Sequence, residues 1–384
     1  MDKFTLTLPG HVLFGRGTAR RAVSEVLARG KRPLVVRGRS CGFADELIAD
    51  LEREGAKVTV LSGSGEPTLP QLETALRQAQ EAGPTVVLAI GGGSVIDLAK
   101  AVAALLPQEG APLDYLEVVG RGQPLERDPL PVFALPSTAG TGAEATRNAV
   151  IGVPGAARKV SLRDPRMIPD LAIVDPALTD GCPRHVTLAS GLDALTQVIE
   201  PYLSKRANPL TDAICRDAIP RGLSALTRLM QGDEPGARDE MAYVSLCGGI
   251  ALANAGLGAV HGLAGVIGGR TGLAHGAICG RLLVPALVEN RAALLVAGLP
   301  VERIDWLCDL LADTFGTGAD TALTAFQRWI DAQGLPYLPD PGDAGETRTA
   351  WAREAQGASS MKSNPVDLDA RQLGRILSAA TQGA

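Results

Sequence analysis

Between residues 33 and 90 the chain alternates short, continuous apolar runs with amphipathic stretches, and this alternation constrains the fold more than anything else in it. The runs 33–37 (Pro-Leu-Val-Val-Arg), 57–61 and 85–90 read as strands buried on both faces. The intervening 44–54 and 69–82 read as helices, the first with its apolar face at Leu47, Ile48 and Leu51. Strands of this type joined by helical crossovers run parallel, with helices covering the sheet. The runs 130–135 and 170–175 extend the pattern. After residue 183 the pattern becomes helical, over 189–229, 239–269, 280–297, 307–315 and 321–333, with few β-branched runs. A chain of 384 residues that is 46% hydrophobic is long enough for two cores. The expected architecture is an α/β N-terminal domain with a parallel, Rossmann-like sheet over 1–182, and an all-helical C-terminal domain over 183–384. The stretch 110–128 reads as a surface loop and 336–342 as a turn-rich connection.

Charge and cysteine usage narrow the functional classes. The net charge of −5 is spread along the chain, and no basic run suggests nucleic acid or an anionic membrane as partner. No apolar segment reaches spanning length and the start lacks a signal-peptide pattern, so a cytoplasmic location is expected. Six cysteines (Cys41, Cys182, Cys215, Cys247, Cys279, Cys308), with no Cys-x-x-Cys pair, read as small buried hydrophobes of a reducing compartment.

Two polar motifs follow strand ends. The run ending at Ile90 leads directly into Gly91-Gly92-Gly93-Ser94, followed by Asp97 and Lys100. Glycines at a strand-to-helix junction let backbone amides approach a phosphate at the helix N-terminus. A plain tight turn needs fewer glycines, and the run is not the Gly-x-Gly-x-x-Gly fingerprint. The second motif, Pro136-Ser137-Thr138-Ala139-Gly140-Thr141-Gly142-Ala143-Glu144, follows the 131–135 run. Hydroxyls and glycines there suit a ribose, a pyrophosphate or a nicotinamide amide, since ligands of open α/β sheets bind at that edge.

The second half holds a sparse set of metal-ligand candidates. Only four histidines occur, and His261 and His275 lie together in a Gly/Ala-rich stretch. Upstream, Asp193 and Gln197 are four residues apart and share a helical face. A carboxylate and two imidazoles with a position left open are the pattern of a catalytic metal. Each residue alone has an ordinary alternative: a hydrogen-bonded interior imidazole, or a carboxylate near a helix start. His11 and His185 have no neighbours that suggest a role.

Taken together these motifs resemble the iron-containing (group III) alcohol dehydrogenase family, within the superfamily of glycerol dehydrogenase and dehydroquinate synthase. The resemblance spans nearly the whole chain, from the Gly91 and Pro136 motifs through 170–176, 191–195, 253–257 and 261–275 to Ser363-Asn364-Pro365. It implies a dinucleotide-binding domain, a helical domain and a cleft holding cofactor and metal. It also implies NAD(P)-dependent, metal-assisted interconversion of a small alcohol and its aldehyde or ketone, in a homodimer paired through an N-terminal strand. Carried over by position, Asp193, His261 and His275 would be ligands of one iron or zinc, with Gln197 an optional fourth. Gly91, Gly92, Gly93, Ser94, Thr138 and Thr141 would contact the cofactor, and Asp97 and Lys159 would serve near the nicotinamide as catalytic and cofactor-binding residues.

Three positions depart from the family pattern. Gln197 stands where four-ligand relatives have His, and Gly265 where many carry a proton-relaying His. Gly38 stands where NAD-preferring relatives have an Asp, so that Gly38, Arg39 and Ser40, with Arg37, modestly favour NADP(H) over NAD(H). The small apolar residues 150–153 and 257–263 would wall a modest aliphatic or aryl substrate site. The alternatives are a metal-free maleylacetate-reductase-like enzyme, which retained Asp97 and Asp193 disfavour, and a dehydroquinate-synthase-like lyase. The scarcity of cations between Asp193 and His275 disfavours the lyase.

Overall fold

The computed structural model describes residues 3–39, 41–63, 65–156, 158–339 and 344–381. It divides into two compact units, one from Thr7 to Gly181 and one from Cys182 onward together with the segment before Thr7.

The first unit is built on a six-stranded, wholly parallel sheet. Its strands are β1 (His11–Phe14), β2 (Pro33–Gly38), β3 (Thr59–Gly63), β4 (Val86–Gly91), β5 (Val132–Pro136) and, later in the chain, β8 (Leu171–Val174). The crossovers are α1 (Ala22–Arg29), α2 (Gly42–Arg53), α3 (Leu69–Ala82) and α4 (Gly93–Leu105). The sheet order β1-β8-β5-β4-β2-β3 puts the reversal of winding between β2 and β4, whose residues Arg37 and Ile90 are register partners. Two cores lie against the sheet. Leu34, Val36, Val87 and Ala89 pack toward α3 and α4, while Val35, Leu88 and Ile90 pack toward α1 and α2. A capping box starts α3, with the Thr68 amide donating to Gln71 Oε1 at 2.9 Å.

The parallel sheet therefore follows the apolar pattern, with local differences. β3 begins at Thr59 rather than 57, because its first register partner is Leu34, one residue after Pro33, which has no amide to donate. β1 was not read from the apolar pattern: it is a four-residue, mostly exposed edge strand, His-Val-Leu-Phe. An antiparallel hairpin, β6 (Asn148–Val153) and β7 (Arg158–Arg163), was also missed. Within 110–128, a short helix α5 (Pro112–Tyr115) and the buried Tyr115 and Leu116 show that the stretch is only partly a surface loop.

The second unit contains α6 (Arg184–Leu203), α7 (Pro209–Leu229), α8 (Pro235–Ala255), α9 (Ala259–Thr271), α10 (His275–Val296), α11 (Glu302–Phe315), α12 (Ala322–Ala332), α13 (Ala344–Gln356) and α14 (Ala370–Thr381). Two stretches expected to be continuous are split. Asn208 caps α7 through the Leu210 and Thr211 amides, and Gly256, at φ +75°, ends α8. No single helix among the described residues is long and apolar enough to cross a membrane.

Candidate active site

In the sheet unit, the carboxyl ends of β2, β4 and β5 lie side by side, with Gly91 opposite Pro136 in the ladder. This is the edge, at the reversal of winding, where open parallel sheets take ligands. Gly92 is the N-cap of α4 in an extended conformation and makes no side-chain cap bond, so the first-turn amides have no side chain closing them off. The Gly91 carbonyl accepts from the Ser137 amide at 2.9 Å, which ties the second motif to the first. The glycines also have a packing reason. A Cβ on Gly93 would meet Thr141 Oγ1 at 2.4 Å, and one on Gly91 would meet Val95 Cγ2 at 2.7 Å. A larger residue at position 93 would push against the loop that carries Thr141, and one at 91 against Val95 of α4. A cavity of about 350 Å³ opens beside Ser94, lined by Ser62, Gly63, Pro67, Gln71 and Leu98.

Three further residues considered for this unit, Asp97, Lys159 and Arg37, already have protein partners. Asp97 Oδ2 accepts from the Val150 amide at 3.0 Å, which fixes the β6–β7 hairpin to α4. Lys159 on β7 forms a close ion pair with Glu66. Arg37 is committed to Asp45 and to the Gly38 and Cys41 carbonyls, so it is not the free guanidinium expected for a ribose phosphate. Arg39 is exposed, and Ser40 lies outside the described residues. Ile151 and Leu263 are fully buried, so neither lines open space.

The loop after β5 closes over a buried pair that sequence reasoning did not single out. Lys100 Nζ donates to Ala143 O at 3.0 Å and to Thr146 Oγ1 at 2.7 Å. Burial pulls the Lys100 ammonium down to about 8, although Asp97 and Glu144 favour its charge. Burial also pushes Glu144 up to about 7, against a backbone hydrogen bond and the attraction of Lys100.

In the helical unit, α6, α9 and α10 bring Asp193, His261 and His275 together. His261 Nε2 is 3.5 Å, and His275 Nε2 3.8 Å, from Asp193 Oδ1. Glycine permits this approach: a Cβ on Gly276 would lie 2.3 Å from Ala189 O and 3.2 Å from Asp193 Cβ. Asp193 is 2% exposed, and its Oδ1 is a buried oxygen with no hydrogen-bond partner. A buried carboxylate oxygen left unsatisfied is costly, and a cation at the meeting point of these atoms would satisfy it. Burial opposes the charged form of His275, yet Cys279 and Asp193 lift its pKa to about 9, so the cluster attracts positive charge. The residues present fit a divalent metal.

Two contributors were not read from the sequence. Glu200, on α6, accepts from His261 Nδ1 at 2.7 Å through Oε2, and from the Val260 amide at 2.7 Å through Oε1. Cys279, one turn after His275, places Sγ 3.5 Å from His275 Nε2 and 3.8 Å from His261 Nε2. Read as a buried hydrophobe, it is indeed buried, but it faces nitrogens. The four ligand atoms of Asp193, His261, His275 and Cys279 all lie within 4.8 Å of one another. Gln197 is buried one turn beyond Asp193 on α6. Gly265 has open space where a side chain would stand, one turn after His261. Asn364 accepts from the Ala259 amide at 3.0 Å, so the 363–365 motif caps the helix that carries His261.

Comparison with known proteins adds an independent line. Residues 9–176 match the model of the family described as iron-containing alcohol dehydrogenase. Residues 187–381 match the C-terminal model of the same family. The chain is 33% identical to the probable alcohol dehydrogenase EutG of Escherichia coli strain K12, over 98% of this chain and 94% of that protein. It is 29% identical to the NAD-dependent methanol dehydrogenase of Bacillus methanolicus, over 97% and 98%. Among solved structures, 1,3-propanediol oxidoreductase superposes with a TM-score of 0.88 at 27% identity, covering 99% of this chain and all (100%) of that one.

Proposed function

The chain belongs to the iron-containing alcohol dehydrogenase family, and on that premise we propose that Asp193, His261 and His275 hold a divalent metal in an enzyme that interconverts a small alcohol and its carbonyl compound with a nicotinamide dinucleotide. The observation that carries the reading is the orphaned Asp193 Oδ1 facing two imidazole nitrogens. When bound, such a metal supplies Lewis acidity at the substrate oxygen, and the dinucleotide supplies the hydride chemistry.

The protein's part is to bind and orient. Glu200 accepts the hydrogen bond of His261 Nδ1–H and so leaves the Nε2 lone pair for a metal. The open first turn of α4, with Gly92, Gly93 and Ser94, is suited to the pyrophosphate. Thr138 and Thr141 present hydroxyls at the same edge, and Asp97 and Lys159 are assigned to the nicotinamide half through the family resemblance. With no carboxylate at Gly38, and with exposed Arg39 close by, NADP(H) is the favoured dinucleotide, although Arg37 is already paired. Zinc or iron suits the nitrogen and oxygen donors. The exposed Val12 and Phe14 of edge strand β1 support pairing with a second copy. The cysteines are free, which suits the cytoplasm.

The test is metal content by plasma mass spectrometry on untagged protein purified without chelator, followed by alcohol oxidation before and after chelation. About one zinc or iron per chain, with activity lost on stripping and restored by the metal, is expected. Metal-free protein that reduces carbonyl compounds at an unchanged rate would refute the reading.

A further inference from the structure

We propose that Cys279 is a ligand of the same metal, its thiolate completing the set begun by Asp193, His261 and His275 in place of the imidazole absent at Gln197. The inference rests on the trio holding a metal and goes beyond it by naming a fourth donor, so that a substrate oxygen would enter as a fifth ligand.

Three observations carry it. Cys279 is fully buried, and its sulfur lies within 3.8 Å of two ring nitrogens, polar partners that simple packing of a thiol does not require. It follows His275 by one helical turn on α10, so both side chains rise from one face. The spacings also suit a shared ion. Bonds of about 2.0–2.3 Å arranged tetrahedrally put neighbouring donor atoms about 3.3–3.6 Å apart. Sulfur to His275 Nε2 is 3.5 Å, sulfur to His261 Nε2 3.8 Å, and Asp193 Oδ1 to the same two nitrogens 3.8 and 3.5 Å. Small inward movements of each donor would close that difference. Gln197 offers only an amide oxygen, a weaker ligand than thiolate for a borderline metal.

Two consequences follow. On binding, the Cys279 thiol releases its proton to solvent, so carboxylate and thiolate together neutralise a divalent cation. The sulfur donor also moves the preference from iron toward zinc and cobalt.

The deciding experiment is Co(II) titration of chelator-treated full-length protein, followed by absorption spectroscopy. Visible d–d bands report cobalt in the site, and a near-ultraviolet thiolate-to-cobalt charge-transfer band reports sulfur bonding. Wild type is expected to show both at about one cobalt per chain. In Cys279→Ser and Cys279→Ala the near-ultraviolet band should vanish, the visible bands should persist and cobalt affinity should fall by about 100-fold. If neither variant folds, X-ray absorption of the wild-type zinc form decides, by a sulfur neighbour at about 2.3 Å. Visible bands without the charge-transfer band, or a charge-transfer band that survives in the variants, would overturn the role of Cys279 and leave the trio standing. Absence of cobalt binding would overturn both.

Discussion

Glu200 holds His261 by its Nδ1 at 2.7 Å, and with its other carboxylate oxygen holds the amide of the residue just before it. One side chain thus fixes both the tautomer of the ring and the start of the helix that carries it. Glu200→Ala removes both, and metal affinity should fall by about 10–100-fold, measured by calorimetric titration of the apo-protein with zinc. Glu200→Gln keeps an acceptor for the ring and should fall less. Equal affinity for all three proteins would mean that Glu200 serves folding alone.

Gly38 ends β2 at the reversal of sheet winding, and a Cβ there would meet nothing closer than Val95 Cγ2 at 3.7 Å. An acidic side chain therefore fits without repacking. Gly38→Asp should repel a 2′-phosphate and accept the ribose hydroxyls, moving the NADP-to-NAD ratio of kcat/KM toward NAD by about 10-fold or more. Stability should change by less than about 1 kcal/mol, as for a surface substitution. An unchanged ratio in steady-state kinetics would remove Gly38 from cofactor choice.

Glu144 is 1% exposed and titrates near pH 7 because burial penalises its charge. Its folded pKa lies above its unfolded value, so the native state binds the extra proton between about pH 4.5 and 7, and its stabilising contribution is lost as pH rises through that window. Urea unfolding of the wild type against Glu144→Gln, which cannot ionise, should show a difference that changes by at most about 3 kcal/mol across this interval. Lys100, pulled down to about 8, acts in the opposite sense. The unfolded chain binds its proton more readily between about 8 and 10.5, so stability rises with pH there. A pH-independent difference between the two proteins would place Glu144 in contact with solvent.

The parts legible from sequence were those encoded locally. Continuous apolar runs gave away β2, β4 and β5, and the glycine triplet marked the start of α4. The scarcity of histidine drew attention to His261 and His275. What escaped depends on partners far along the chain. A lone cysteine in an apolar helix looks like packing until α9 and α10 bring two imidazoles to it. Glu200 looks like an ordinary helix residue until the start of α9 meets both its oxygens. β1, an exposed edge strand of four residues, is too short for a period to betray it, and its partner β8 comes only at Leu171–Val174. Arg37 shows the converse: its charge suggests a ligand contact, and the structure adds a pairing with Asp45 in the first turn of α2 that the sequence does not reveal.

The Asn364 side chain that receives the Ala259 amide belongs to a segment 105 positions later in the chain. A growing polypeptide acquires Asp193, His261 and His275 well before it acquires the residue that secures the helix bearing His261. Early capture of an ion would therefore occur on loosely held side chains and be readily reversed. In small zinc-dependent domains the ion organises the protein. Here the last part of the chain must be in place before the start of α9 is secured, so the trio that would hold a metal is held firmly only once folding reaches residue 364.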